Sequence, residues 1–187
     1  MPEIRTQNPT YVPGHGLLAG KGVLITAAAG SGIGSSTARK CIEEGARVVI
    51  SDKHERRLAE TAAELGVVGI VCDVTNEESV QNLITQAAIE LGGIDVLVNN
   101  AGLGGTAELH EMTDEQWSVV LDVTLNGTMR CTRAALNHMY PRGTGVIVNN
   151  ASVLGWRAQE GQAHYAAAKA GVMALTRCAA IEAGHRG

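Results

Sequence analysis

The chain has 187 residues, enough for one domain with a substantial core. Hydrophobic residues make up 45% of it, with no Phe, two Trp and three Tyr, so the expected interior is aliphatic and alanine-rich. A formal charge of −4 gives no basic field for nucleic acid, and no run has the apolar length of a signal peptide or membrane span, so a soluble cytoplasmic protein is expected.

Residues 1–20 carry Pro2, Pro9, Pro13, Gly14, Gly16 and Gly20 and are expected to form an extended arm, either disordered or laid over a neighbouring surface. From residue 21 the pattern changes. Short apolar runs at 23–26, 48–51, 67–72, 94–98 and 145–149 predict strands, and periodic stretches at 35–45, 55–65, 77–91, 114–138 and 163–183 predict helices. Five strands, each followed by a helix, predict an α/β fold: a doubly wound parallel sheet with helices on both faces, filling 21–187 as one domain. Cys41, Cys72, Cys131 and Cys178 are widely spaced, without a CxxC pair, and are expected to be reduced, buried thiols. The six histidines form no ligand cluster, so no metal is expected. His164 is expected to be solvated.

The turn after the first strand runs Ala27-Ala28-Ala29-Gly30-Ser31-Gly32-Ile33-Gly34. Glycines there let a backbone approach a pyrophosphate, whose charge the following helix N-terminus favours. A glycine-rich tight turn is the plainer reading. Asp52 ends the second strand, where a carboxylate accepts from an adenosine ribose and repels a 2′-phosphate, favouring NAD over NADP. Lys53, Arg56 and Arg57 keep NADP open. Asp73, followed by Val74, ends the third strand, placed to meet an adenine or else to cap the next helix. Asn99-Asn100-Ala101-Gly102 ends the fourth, where small residues leave room for a cofactor. In an open parallel sheet the ligand crevice lies beyond the carboxyl ends of the strands, where all these residues fall.

Ser152 follows the fifth strand, and Tyr165 and Lys169 lie four apart on the last helix, hence on one face. A cation beside a phenol favours its phenolate, which makes Tyr165 a usable proton donor or acceptor. YxxxK alone arises by chance in roughly one chain in three of this length. The serine at a strand end, together with the upstream turn and acids, makes the combination specific.

These residues resemble the short-chain dehydrogenase/reductase family in its single-domain form, from about residue 20 onward. The segment 27–34 resembles the family's TGxxxGxG turn, Asp73 its adenine-contacting aspartate, residues 99–102 its NNAG, and Ser152, Tyr165 and Lys169 its serine and YxxxK. The resemblance implies a Rossmann-type fold, an NAD(P) cofactor and hydride transfer between nicotinamide and a secondary alcohol or ketone. Tyr165 would be the general acid/base, Lys169 the ribose-holding partner, and Ser152 the group polarising the substrate oxygen. The cofactor contacts it implies are Ala28, Gly30, Ser31, Gly32, Ile33, Gly34, Asp52, Asp73, Val74, Asn100, Ala101, Gly102, Tyr165 and Lys169.

Three departures carry expectations. Ala27 and Ala28 stand where the family has Thr and Gly, so the turn's first hydrogen bond to the later strand should be altered. Thr124 stands at the family's active-site asparagine. It keeps the backbone carbonyl that in the family holds a relay water, and Asn126, about 200° round a helix, does not substitute for the asparagine. The sequence stops about sixty residues short of the family's usual length, so the last strands and substrate lid are expected to be missing, either because it is a fragment or because it lacks them. The run 149–158 is similar to actinobacterial 3-oxoacyl-carrier-protein reductase-like members, some of which act in steroid-ring breakdown. That similarity implies a bulky apolar or CoA-thioester substrate lined by Ser152, Leu154, Trp156 and Tyr165. An NADPH-dependent 3-oxoacyl-thioester reductase is the alternative, and a non-catalytic dinucleotide-binding or assembly protein the alternative of another class. Relatives pair the long helix and the catalytic helix across subunits, implying a homotetramer or homodimer.

Overall fold

A computed structural model of the chain describes residues 10–187. Five parallel strands, β1 Gly22–Ile25, β2 Arg47–Asp52, β3 Val68–Val71, β4 Val96–Asn99 and β5 Val146–Asn149, form one sheet in the order β3-β2-β1-β4-β5. The connecting helices are α1 Ile33–Glu43, α2 Glu55–Leu65, α3 Glu77–Leu91, α4 Asp114–Leu121, α5 Gly127–Met139 and α6 Ala163–Ala183. The order reverses beside β1, which opens a crevice at the carboxyl ends of β1 and β4, as in other open parallel sheets.

β1 and β2 are nearly continuous apolar runs because both of their faces are covered. Successive side chains alternate: Val23, Ile25, Val48 and Ile50 pack under α1 and α2 with Ala38, Leu58 and Ala62, whereas Leu24, Val49 and Leu97 face α3 and α5 with Leu83, Ile84, Ala87 and Ala135. Val146 and Val148 lie on the first of these faces, beyond α1 and α2, and are exposed. β5 forms one edge of the described sheet. Its other face and the α5/α6 seam enclose a cavity of about 230 Å³ lined by Leu136, Met139, Ile147 and Ala180. No helix among the described residues is long and apolar enough to cross a membrane.

Two expectations are corrected, those for the long helix and for Cys178, while residues 10–20 take the second of the two courses expected for the arm. The long helix predicted at 114–138 is interrupted: Asp122–Asn126 is a π-helical turn, and a 3-10 turn, Tyr140–Arg142, follows α5. The widened turn carries one residue more than an α-turn, as single π turns at functional sites do. It turns Thr124 inward, fully buried, while Asn126 stays outside and donates to Asp122 at 3.1 Å. Residues 10–20 of the arm are laid on the chain's own α1. The Gly14 N–H donates to Glu43 at 2.7 Å, the His15 and Leu17 N–H groups to Glu44 at 2.8 and 3.1 Å, and Tyr11 bonds Glu43 as well. The rest of the expected arm, 1–9, lies outside the described residues. Of the four free thiols, Cys72 and Cys131 are buried as expected and burial pushes the Cys131 thiol up to about 12, but Cys178 is exposed on α6.

Candidate active site

The turn after β1 begins with Thr26, fully buried, whose hydroxyl accepts from the N–H groups of Asn100 and Ala101 at 3.0 and 3.2 Å. The hydrogen bond to the later strand that was expected to be altered is therefore made one residue earlier. From Thr26 to Gly34 the turn has nine residues, one more than the eight of TGxxxGxG, and Thr26 takes the place of that pattern's threonine. Ala27 then takes a left-handed φ of 50°, the only non-glycine among the described residues to do so. Its carbonyl accepts from Asn100 Nδ2 at 2.9 Å. Gly34 rides directly on that carbonyl, since a Cβ built there would lie 2.6 Å from Ala27 O and 2.7 Å from Asn100 Nδ2. Ala28 is buried in the core with its N–H donated to Ser51 O, so it supports the turn from behind instead of facing the crevice, contrary to its expected place among the cofactor contacts. Gly30, Ser31, Gly32 and Ile33 are exposed, and Gly32 caps α1 without any side-chain cap, leaving the helix N-terminus open to an anion.

Asp52, Asp73, Val74, Ala101 and Gly102 are brought together. With Ala27, Lys53, Arg57, Leu103 and Val123 they line one cavity of about 220 Å³. Asp52 is fixed by the Ala29 and His54 N–H groups at 3.3 and 3.0 Å. The Asp73 carboxyl is lowered from its ordinary value by the Thr75 N–H, with the Thr75 hydroxyl, Lys53 and Arg130 adding to it. It does not cap the next helix: Asn76 does, accepting from the Ser79 N–H at 2.8 Å. Arg130, which the sequence did not single out, joins Asp122 at 2.8 Å to the Val74 carbonyl at 3.3 Å, and Gly127 lets α5 close on Val74.

On the other side of Gly102 stands the Ser-Tyr-Lys set. Lys169 is 3% exposed and donates to the Asn150 carbonyl at 2.5 Å, and burial pushes its pKa down. Asn150 is itself tied to Asn100, its Nδ2 donating at 2.9 Å. The ammonium lies 5.7 Å from the centre of the half-buried Tyr165 ring, which borders Gly104. A Cβ on Gly102 would lie 3.5 Å from Lys169 Nζ and 3.9 Å from Thr124 Cγ2, so a glycine there opens the way from the crevice to the ammonium. Ser152 starts a short 3-10 turn, Val153–Gly155, its hydroxyl accepting from the Leu154 N–H at 3.2 Å; Gly155 packs against the Lys169 backbone.

Thr124 is engaged at both ends. Its hydroxyl accepts from the Leu103 N–H at 3.0 Å and donates to the Leu103 carbonyl at 3.1 Å, and its own carbonyl accepts from the Thr128 hydroxyl at 2.8 Å. The loop that borders Tyr165 is further held by Gln162, which donates to Gly105 O at 2.6 Å and Thr106 Oγ1 at 3.1 Å. His164 is not solvated: it is 1% exposed, its Nδ1 has no partner among the described residues, and its Nε2 presses on Gly105. Packing of the first turn of α6 onto this loop, a long-range contact absent from any local pattern, buries it. Of the expected substrate residues, Leu154 is half-buried, while Trp156 is 79% exposed and packs on no wall.

The family described as short chain dehydrogenase matches residues 21–187. The chain is 61% identical, over 187 aligned residues, to the (5R,7aS)-5-hydroxy-7a-methyl-1-oxo-2,3,5,6,7,7a-hexahydro-1H-indene-carboxyl-CoA reductase of Mycobacterium tuberculosis, covering 96% of this chain and 71% of that protein. It is 38% identical over 172 residues to a 3-oxoacyl-[acyl-carrier-protein] reductase of Vibrio cholerae, covering 91% and 70%. The crystal structure of a short chain dehydrogenase from Mycobacterium smegmatis superposes with a TM-score of 0.94 at 61% identity, covering 97% of this chain and 78% of that one.

Proposed function

Because the chain belongs to the short-chain dehydrogenase family, a family of oxidoreductases, we propose that its crevice binds NAD(H) and that Ser152, Tyr165 and Lys169 serve a secondary alcohol or ketone. The observation that carries this reading is the position of Gly102. It lines the cavity that holds Asp52 and Asp73, and it also opens directly onto Lys169, so one extended ligand spans both. The residues fit a dinucleotide: an uncapped helix N-terminus for the pyrophosphate, Asp52 for the adenosine ribose, Asp73 and Val74 for the adenine, and Lys169 for the nicotinamide ribose.

When bound, NAD(H) supplies or accepts the hydride. In the reductive direction the Tyr165 hydroxyl gives its proton to the substrate oxygen as that oxygen gains negative charge. The Ser152 hydroxyl, whose oxygen already accepts from the Leu154 N–H, keeps its own proton free for the same oxygen. The Lys169 ammonium, held by Asn150, stabilises the charge left on the tyrosine oxygen. Thr124 acts through Leu103, fixing the loop in front of Tyr165.

The substrate we assign is a bulky apolar ring alcohol or ketone carried as a CoA thioester. The named activity of the 61%-identical mycobacterial reductase supports it, as do the exposed apolar side chains of Leu103, on the cavity wall, and Val153, next to Ser152 in the chain. Lys53 and Arg57 on the cavity wall favour a second reading, an NADPH-dependent 3-oxoacyl-thioester reductase. Calorimetric titration with NADH and NADPH separates the two. Tighter NADH binding, together with a Tyr165→Phe variant that binds equally well and does not turn over, supports the first; tighter NADPH binding supports the second; an active Tyr165→Phe refutes the acid/base role. The chain is assigned to the cytoplasm, as a homodimer or homotetramer joined through α4, α5 and α6, where Trp117 and Val119 are partly exposed. A monomeric mass in light scattering rejects the assembly.

A further inference from the structure

One buried hydroxyl joins the two halves of the cofactor crevice. Thr61, in α2, is 4% exposed. Its hydroxyl donates to the Arg57 carbonyl at 2.9 Å, one helical turn back, so its only proton is committed and a lone pair is left facing the Gly30 N–H, which donates to it at 2.8 Å. Gly30 has a φ of +81° and sits at the crest of the turn, exposed, with open space where a Cβ would stand.

The rest of that turn is held in the same direction. The Ala28 N–H goes to Ser51 O at 2.9 Å, the Ala29 N–H to the Asp52 carboxylate at 3.3 Å and the Gly30 N–H to Thr61, so three successive amides face the β2/α2 segment. Ser31, Gly32 and Ile33 are then turned outward at the uncapped start of α1. Arg57, the acceptor of the Thr61 proton, lines the adenosine end of the crevice. The phosphate turn and the ribose segment are thus fastened to each other before any ligand arrives.

We infer that Thr61 is a positioning residue for dinucleotide binding: by holding the Gly30 amide it fixes the amides at the start of α1 in the orientation that receives the pyrophosphate. The role rests on the proposed cofactor reading. It works by preorganisation, since a turn already in its binding conformation loses less freedom when the ligand is bound. Removing the hydroxyl leaves the Gly30 amide without its acceptor and frees the crest of the turn.

Thr61→Val keeps the volume and removes the acceptor, and Thr61→Ser keeps the acceptor. In the ligand-free chain, amide hydrogen exchange at Gly30 should quicken at least tenfold in Thr61→Val and remain within twofold of wild type in Thr61→Ser. The NADH dissociation constant should rise about tenfold in Thr61→Val, the worth of one lost hydrogen bond, with Thr61→Ser again near wild type. In turnover the loss should fall on KM for the cofactor, with kcat unchanged, whereas a merely structural role would lower the thermal midpoint and leave the affinity of the remaining folded protein alone. If Thr61→Val does not fold, Thr61→Ala against Thr61→Ser makes the same comparison. Wild-type affinity and wild-type Gly30 exchange in the folded variant overturn the role of Thr61 alone. A wild-type chain that binds neither NADH nor NADPH overturns the cofactor reading and this role together.

Discussion

Replacing Lys169 by methionine should make the protein more stable and inactive at once. The ammonium is 3% exposed, and burial is the cause that pushes its pKa below 10.5; what it gains in return is one short hydrogen bond to Asn150 O. A hydrogen bond to a charged group contributes about 1.5–3 kcal/mol. Desolvating an ion costs several kcal/mol even after relaxation. Methionine occupies a similar volume and Asn150 is only half-buried, so the balance should favour the variant by about 1 kcal/mol, or roughly 2–4 °C in midpoint for a chain of this size. The pH dependence gives an independent check. A lysine whose folded pKa is lowered gives up its proton earlier in the folded state than in the unfolded one. Between the lowered value and 10.5 the unfolded chain therefore binds more protons, and wild-type stability rises with pH across that window. Thermal unfolding at pH 7 to 10.5 should show that rise in the wild type and not in Lys169→Met, while turnover falls at least about a hundredfold. A variant whose midpoint drops by several degrees at pH 7, or that keeps the same pH slope, would refute the argument that this buried cation destabilises the fold.

Asp52→Asn should lower the preference for NADH over NADPH by about tenfold, because it removes the charge that repels a 2′-phosphate while keeping a side-chain oxygen for the Ala29 amide; parallel titrations of the two cofactors decide it. Thr124→Val should cost about 1–3 kcal/mol in denaturant unfolding, since the Leu103 N–H and carbonyl lose their shared partner, with Thr124→Ser close to wild type; equal stability of all three would disprove the anchoring of that loop. Acid should release residues 10–20 before the domain unfolds. The His15 and Leu17 amides hold the Glu44 carboxyl below its usual value, so the contribution of this contact is present above the unfolded pKa of 4.5 and is lost as pH falls through the lower folded value. Limited proteolysis with pepsin across that range should cut first within 10–20, and cleavage elsewhere first would contradict this.

How legible the site was depended on how far its residues lie from one another in sequence. The order of elements, the carboxyl-end position of Asp52 and Asp73, and the face shared by Tyr165 and Lys169 follow from short-range periodicity and turn chemistry, and the structure places Asp52 and Asp73 on one cavity and Lys169 beside the Tyr165 ring on the other side of Gly102. Thr26 was hidden by the turn's extra residue: alignment to a motif placed the threonine role at Ala27, whereas the hydrogen bond to Asn100 belongs to the residue whose backbone still follows β1. His164 was misplaced for a related reason. Residues neighbouring Tyr165 on its helix look solvated in any periodic reading, and only the 104–107 loop folding over them, fastened by Gln162, decides otherwise.

The interrupted long helix shows the same limit from the energetic side. Nothing in Asp122-Val123-Thr124-Leu125-Asn126 breaks a helix, and local propensity alone would continue it. The π turn persists because contacts from outside the helix support it. Arg130 bridges Asp122 and the Val74 carbonyl on one side, and Leu103 grips the Thr124 hydroxyl through both its N–H and its carbonyl on the other. One of those supports belongs to the Asp73–Val74 end of the crevice and the other to the loop beside Tyr165. The distortion is thus placed where a single helix holds both ends of the proposed ligand site in register, and the loop anchor that Thr124→Val removes is one of its two supports.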